Sequence, residues 1–121
     1  MRSIRGALSW FSVDCCIHTS PKVMKLAGLL GLDLDTTVGK LCRLYAWVKM
    51  SGNEDGYIGF VPDDELAGIM RWSKKPSTLI EAMTGSGILD IAEDGGYVLH
   101  GWYERNGRST EKARKDSARK A

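Results

Sequence analysis

The side chains that could bind a metal ion are few. Cys15, Cys16 and His18 lie close together, and His100 is the second of two histidines. In an extended strand Cys15 and Cys16 would point to opposite faces, so only one thiolate could reach a given ion. Buried cysteine together with exposed histidine is the expected arrangement. We therefore expect no metal and no cofactor.

A row of carboxylates raises a second possibility, that of a metal-dependent nuclease. Asp63, Asp64 and Glu65 directly follow Pro62, however, and this is the composition of a helix N-terminus, where capping and the helix dipole favour acids. The sequence has no glycine-rich phosphate loop of either common pattern. We therefore predict no catalytic residues, and we do not expect an enzyme.

The segment from residue 71 to 85 has the composition of a helix that contacts nucleic acid. Leu79, Ile80 and Met83 recur at helical spacing and predict a face buried in a core. Cationic side chains precede this helix, and hydroxyl side chains lie in its first turn. Recognition helices approach phosphates and base edges with this end. The predicted DNA-binding residues are Arg71, Lys74, Lys75, Ser77 and Thr78. The alternative, that Lys74 and Lys75 only solvate a loop, stays open.

Charge is distributed unevenly along the 121 residues. The net charge is +2, but residues 105–121 carry seven Lys or Arg and two acids, a charge of +5, and the other 104 residues carry −3. Arg105, Arg108 and the cations after them are expected to add diffuse, salt-sensitive attraction to DNA. The predicted organisation is a flexible N-terminus at 1–9, a folded domain at 10–104 and a basic disordered tail or linker at 105–121.

The pattern of apolar residues and turn signals predicts an α+β, mainly α, domain. Alternation predicts a short strand at 10–16. A β-prone stretch at 57–61 is predicted to form a strand that packs beside the wing hairpin. Helices are predicted near 21–31, 36–51, 62–70 and 75–85, with caps at Ser20 and at Asp33 or Asp35. A hairpin at 88–102 closes the series. This order is that of a winged helix-turn-helix, with the hairpin as the wing.

The tip of the predicted wing is acidic. Glu93 and Asp94 precede the turn pair Gly95-Gly96. Carboxylates are repelled by phosphates, so the hairpin is expected either to point away from DNA or to dock protein.

The four tryptophans could in principle stack on bases. Trp10, Trp47, Trp72 and Trp102 each have apolar neighbours. Packing in the core or in a dimer interface is therefore the expected role.

The cysteine count and the hydropathy pattern bear on the compartment. Three cysteines are an odd number, which fits a reducing cytosol. No apolar run approaches the ~20 residues of a membrane span, and the first residues lack the pattern of a signal peptide. We expect a protein of the bacterial host cytoplasm without a membrane partner.

The order of these motifs resembles the N-terminal winged-helix domain of phage replication proteins related to DnaD and to the phage replisome organizers. The resemblance extends over about residues 10–108. It is carried by Trp10, Val13 and Asp14; Pro21 and Lys22; Leu30 and Gly31; Gly39, Leu41, Leu44 and Tyr45; Asp55 and Gly56; Leu66 and Ala67; Gly87 to Asp90; and His100, Trp102 and Glu104.

The resemblance implies a role in initiating phage or prophage DNA replication. Its expected partners are double-stranded DNA, a second copy in a homodimer, and replication proteins that bind a C-terminal region absent from these 121 residues. We therefore expect this chain to be part of a longer protein. The alternatives are a protein-interaction or oligomerisation scaffold of the replisome and a winged-helix transcription regulator.

Overall fold

A computed structural model describes residues 10–51 and 55–102. Its helices are a short 3₁₀ helix at Ile17–Thr19 and four α-helices: α1 (Pro21–Leu30), α2 (Leu34–Met50), α3 (Asp63–Ile69) and α4 (Pro76–Ser86). Its strands are β1 (Tyr57–Gly59), β2 (Leu89–Ile91) and β3 (Tyr97–Leu99). The described part is thus α+β and mainly helical, and its element order is compatible with a winged-helix arrangement.

The helices begin and end close to the predicted positions. Pro21 opens α1 and Pro76 opens α4, since proline fixes φ for a first helical turn and lacks an N–H that would be unpaired there. Ser20 and Asp33 occupy the N-cap positions of α1 and α2, but neither side chain makes the expected capping hydrogen bond. The helix positions are therefore confirmed, and the side-chain capping is wrong.

One core holds the helices together. α4 packs against α1 and α3, and α2 packs against the same two helices. Among the described residues, the largest side chains with less than 2 % exposure come from every α-helix and from the end of the hairpin. They include Leu26, Leu41, Leu44, Leu66, Met70 directly after α3, Leu79, Met83 and Trp102. Burying these apolar surfaces is the main favourable contribution to folding.

The three strands form one antiparallel sheet in the order β1-β3-β2. Leu89 pairs with Leu99 and Ile91 with Tyr97 in the hairpin. β1 lies on the other edge of β3, as predicted for the 57–61 stretch, although the strand ends at Gly59. Gly59 has φ +85°, a conformation that only glycine adopts without strain, so the extended run stops there.

The predicted strand at 10–16 is wrong. The Asp14 carboxylate accepts a hydrogen bond of 2.8 Å from the Cys16 N–H, and the Asp14 carbonyl accepts one of 3.0 Å from the Ile17 N–H. These bonds close a turn that leads into the 3₁₀ helix, because an Asp side chain competes with strand pairing for backbone donors. The alternation that predicted the strand joins Phe11, Val13, Cys15 and Ile17, and of these only Ile17 is buried. Phe11 packs edge-on against Tyr45.

Candidate nucleic-acid interface

The turn that joins α3 to α4 contains three of the predicted DNA-binding residues, and we call residues 71–75 the basic turn. Arg71, Lys74 and Lys75 are all exposed. Among residues 10–51 and 55–102, none of the three forms a salt bridge. Their charges are therefore available to an anion outside the protein.

Trp72 anchors the basic turn to the core. Its side chain is buried, and its Nε1–H donates a hydrogen bond of 3.0 Å to the Lys75 carbonyl. The Lys74 ammonium lies 5.9 Å from the centroid of the same ring, within the range of a cation–π contact. One buried indole thus fixes the backbone of the turn and positions one of its cations. The core packing predicted for this tryptophan is confirmed, as it is for Trp102.

Arg71 adopts a backbone conformation that usually belongs to glycine. Among the described helices, α1, α3 and α4 end with the same pair of backbone hydrogen bonds. After α1, the Gly31 N–H bonds to the Gly28 carbonyl and the Leu32 N–H to the Ala27 carbonyl. The matching donors and acceptors are Arg71 to Gly68 and Trp72 to Ala67 after α3, and Gly87 to Thr84 and Ile88 to Met83 after α4. The left-handed residue is Gly31, with φ +68°, in the first and Gly87, with φ +87°, in the third. After α3 the left-handed residue is Arg71, with φ +59°. A residue with a side chain in this conformation lowers the free energy of unfolding by about 1 kcal/mol relative to glycine.

Lys40 supports this strained position from α2. Its ammonium donates hydrogen bonds to the Arg71 carbonyl at 2.7 Å and to the Met70 carbonyl at 3.3 Å. Both carbonyls directly follow α3, where backbone acceptors have no intrahelical partner, and a cation at a helix C-terminus also interacts favourably with the helix dipole. The Arg71 side chain is consequently held out from the domain on a fixed backbone.

α4 presents one face to the core and the opposite face to solvent. Leu79, Ile80 and Met83 are buried, as predicted. Thr78 and Glu81 are exposed, and Ser77 is half-buried. The side chains around Glu81 on this face are small, so a nucleic acid surface could approach the helix closely. The buried face of α4 was therefore predicted correctly from the sequence.

The N-terminus of α4 lies at the end of the basic turn. Lys75 occupies the N-cap position and makes no side-chain capping hydrogen bond, and Pro76 has no N–H. The Thr78 N–H is bound to the Lys75 carbonyl at 3.1 Å. The first turn of a helix attracts anions through its dipole, and here Lys74 and Lys75 add two positive charges.

The acidic hairpin tip has a structural role of its own. The Tyr57 hydroxyl donates a hydrogen bond of 2.5 Å to Asp94 Oδ2, and the Gly96 N–H donates one of 2.8 Å to Asp94 Oδ1. The hydrogen bond from Tyr57 lowers the pKa of Asp94, and the same bond raises the pKa of Tyr57. Asp94 therefore fastens the hairpin turn to β1.

A second tyrosine fastens the hairpin to α3. The Tyr97 hydroxyl donates a hydrogen bond of 3.0 Å to Asp63 Oδ1. Burial, and then the bond to Asp63, raise the pKa of Tyr97. The sequence interpretation attributed Asp63, Asp64 and Glu65 to capping and to the helix dipole. The capping part is wrong, because the N-cap of α3 is Pro62 and no side chain caps it. All three acids nevertheless lie in the first turn, where the dipole favours them.

The cysteines differ from expectation. Cys15 and Cys16 are both exposed, because the turn after Asp14 replaces the predicted strand, and Cys42 is partly buried. Burial raises the pKa of the Cys42 thiol. In the described part of the chain, no three His, Cys, Asp or Glu side chains are grouped so that they could hold a metal ion.

Each histidine faces one carboxylate. His18 Nε2 lies 3.4 Å from Asp35 Oδ1, and His100 Nδ1 lies 2.7 Å from Asp90 Oδ2. Both histidine side chains are about half exposed, at 53 % and 52 %, so the predicted exposure is confirmed.

Arg105 and Arg108, the last two predicted DNA-binding residues, lie outside the described residues. Lys40 and the anchoring role of Trp72 were missed by sequence reasoning, since no local motif connects Lys40 to a carbonyl 31 residues further along the chain. The left-handed position of Arg71 had no signal in the sequence, because glycine usually marks such a position and none lies between α3 and α4.

No protein-family model, curated protein or solved structure matches this chain. The geometry of the basic turn and of α4 therefore carries the functional inference. Within the described ranges, no helix has both the length and the apolar composition needed to cross a lipid bilayer.

Proposed function

We propose that the protein is a winged-helix module that binds duplex DNA, with the first half of α4 in the major groove and the basic turn on the phosphates. Leu79, Ile80 and Met83 hold α4 in the core and leave its other face open. An α-helix fits the major groove, and its N-terminal residues are the ones that contact bases in helix-turn-helix proteins. The open face of α4 and its cationic start match that mode of docking.

The observation that carries this proposal is Arg71 in a position suited to glycine. The same left-handed position is occupied by glycine after α1 and after α4. Arginine there lowers stability, and destabilising residues are characteristic of positions that serve function. A long cation on a turn next to a groove-facing helix would contact a phosphate. Lys74 and Lys75 would contact phosphates beside it.

Glu81 has a specific role under this proposal. Its carboxylate lies in the middle of the open face of α4, where it is repelled by phosphates but can reach a base edge. A carboxylate in the major groove accepts a hydrogen bond from the amino group of cytosine. Ser77 and Thr78, one turn earlier, can bond either to bases or to the backbone.

The biological role that we propose is initiation of phage or prophage DNA replication in the bacterial cytoplasm. It is supported by the order of sequence motifs that resembles the DnaD-like replication proteins. Arg105, Arg108 and the following cations would add affinity that does not depend on DNA sequence. A transcription regulator would use the same groove contact. The two roles differ in the process that DNA binding serves and not in how the domain binds DNA.

The docking geometry is tested by NMR titration of the full chain with a short duplex. We expect amide signals of residues 71–81 to shift first and furthest, with the hairpin tip at residues 93–95 little affected. Shifts confined to residues 105–121 would mean that only the basic segment binds. The largest shifts at the hairpin tip would contradict docking through α4.

A second candidate function is a protein-interaction module, which the exposed aromatic residue before α1 favours. Trp10 is 51 % exposed and Val13 is 39 % exposed. Large apolar side chains exposed close together in sequence are a feature that an interaction surface would use. Sedimentation at increasing protein concentration distinguishes the two functions: dimers without duplex affinity support the interaction module.

A further inference from the structure

The end of the sheet next to the hairpin turn exposes two large apolar side chains. Phe60, directly after β1, is 69 % exposed, and Ile91, at the end of β2, is 57 % exposed. Gly59, Tyr97 and Ile91 form one row across the three strands. Phe60 lies at the hairpin turn, since a Cβ built on Gly95 would be 3.6 Å from its Cε1. Both side chains are therefore at the same end of the sheet as the turn.

Three carboxylates lie in the hairpin turn or within four residues of Phe60 along the chain. Glu93 and Asp94 are in the turn itself, and Asp64 is in the first turn of α3, four residues after Phe60. All three are exposed, and in the described ranges none forms a salt bridge. We call Phe60, Ile91, Asp64, Glu93 and Asp94 the hairpin-tip surface. Its combination of an aromatic ring with negative charge suits a partner that has long cationic side chains.

We propose that the hairpin-tip surface binds the chain's own basic segment, residues 105–121. This segment has seven Lys or Arg and a net charge of +5, whereas the remaining 104 residues carry −3. It contains no aromatic or large aliphatic residue. Its contacts would be ion pairs to the carboxylates, a cation on the Phe60 ring, and Lys or Arg stems along Ile91.

Connectivity favours this occupant over a second copy of the chain. A Cβ built on Gly56, the residue before β1, would be 2.6 Å from the Trp102 Cβ, so Trp102, the last described residue, lies beside the start of β1. An extended chain spans about 3.3 Å per residue, so two or three residues cover the three-residue length of β1. A tethered segment also has an effective concentration near millimolar, well above that of a second copy in dilute solution.

The consequence is competition for the basic segment. Bound to the hairpin-tip surface, its cations are neutralised, and any polyanion must displace it before contacting them. The interaction itself does not require DNA, so it stands independently of the proposed function.

The test is photo-crosslinking in the full chain without DNA. Benzoylphenylalanine replaces Phe60, whose exposure makes the replacement compatible with folding, or Met24, which is 55 % exposed on α1 and serves as the control. Equal amounts of ¹⁵N-labelled and unlabelled chain are mixed, so that mass spectrometry separates crosslinks within one chain from crosslinks between chains.

We expect crosslinks from position 60 to residues 105–121 within one chain, several-fold more frequent than from position 24. Glu93→Lys and 0.5 M salt should each reduce them several-fold, because the attraction is electrostatic and salt screens it. Crosslinks only between chains would assign the surface to a second copy and overturn the proposal. No crosslinks to 105–121, or equal yields from positions 24 and 60, would also overturn it.

Discussion

The Lys40 ammonium on α2 donates a hydrogen bond of 2.7 Å to the Arg71 carbonyl, and this contact ties the longest helix to the basic turn. A second bond, of 3.3 Å, goes to the Met70 carbonyl. Both acceptors belong to the end of α3, where Arg71 holds its left-handed conformation. The cation therefore stabilises the one helix terminus of this type, within residues 10–51 and 55–102, that lacks glycine.

Replacing Lys40 should consequently loosen the turn. Lys40→Met keeps an apolar stem and removes the ammonium, and we expect the free energy of unfolding to fall by about 1 to 2 kcal/mol. Chemical denaturation measures it. The control is Lys25→Met, at an exposed position on α1, which should change stability by less than about 0.5 kcal/mol. Equal effects of the two variants would show that the Lys40 bonds add nothing.

Arg71→Gly should separate stability from binding. Glycine adopts φ +59° without strain, so the free energy of unfolding should rise by about 1 kcal/mol. Duplex affinity should fall in the same variant, because glycine has no cation to neutralise a phosphate. Denaturation and duplex titration of one preparation give both values. A more stable variant with unchanged affinity would remove Arg71 from the interface.

The hairpin tip should depend on pH through Asp94. Its pKa is lowered from the ordinary value of 3.8, first by the Tyr57 hydroxyl, so the ionised carboxylate stabilises the closed turn above that pH. The contribution is lost as pH falls through the lowered pKa. Protonated Tyr57 is the donor, and because its pKa is raised, the bond is kept until pH rises through that raised value. The closed turn is thus expected over the whole range between the two.

NMR titration of the side-chain carboxyl groups tests this coupling. Tyr57→Phe should raise the pKa of Asp94 towards 3.8, since it removes the main donor. Tyr97→Phe is the matched control, because its hydroxyl is bound to Asp63 instead. An Asp94 titration that is the same in wild type and Tyr57→Phe would show that the hydroxyl does not hold the carboxylate.

Two glycines allow the effect of backbone conformation to be measured without steric interference. No atom lies within 4 Å of a Cβ built on Gly39, inside α2, or on Gly31, after α1. Gly39→Ala should raise the free energy of unfolding by up to about 1 kcal/mol, since alanine favours a helix. Gly31→Ala should lower it by about 1 kcal/mol, because φ is +68° there. Thermal or denaturant unfolding of both variants decides, and the same sign in both would contradict this assignment of backbone states.

Sequence reasoning located the helices because their signals are local. The spacing of Leu79, Ile80 and Met83 predicted the buried face of α4, and prolines and glycines marked where helices begin and end. The strand prediction at 10–16 failed for an equally local reason. The Asp14 carboxylate accepts a hydrogen bond from the Cys16 N–H and so favours a turn over strand pairing. The alternation of apolar residues contains no information about this hydrogen bond.

The contacts that shape the site were less accessible to sequence reasoning. The cations of the basic turn were identified from their position before a helix. The bonds from Lys40 to the turn and from Tyr57 to Asp94 join residues 31 and 37 positions apart, so only the fold brings the partners together. The left-handed Arg71 arises because Lys40 and Trp72 secure a backbone that local preference alone would not select.

The dependence of duplex affinity on salt tests the central claim most directly. In the full chain, Lys74→Gln with Lys75→Gln should weaken binding and reduce the slope of log affinity against log salt by about 2, one for each phosphate that the variant no longer neutralises. Lys25→Gln, which removes one exposed charge from α1, should leave the slope nearly unchanged. If the double variant keeps the wild-type slope and affinity, the basic turn does not contact DNA and binding through α4 is contradicted.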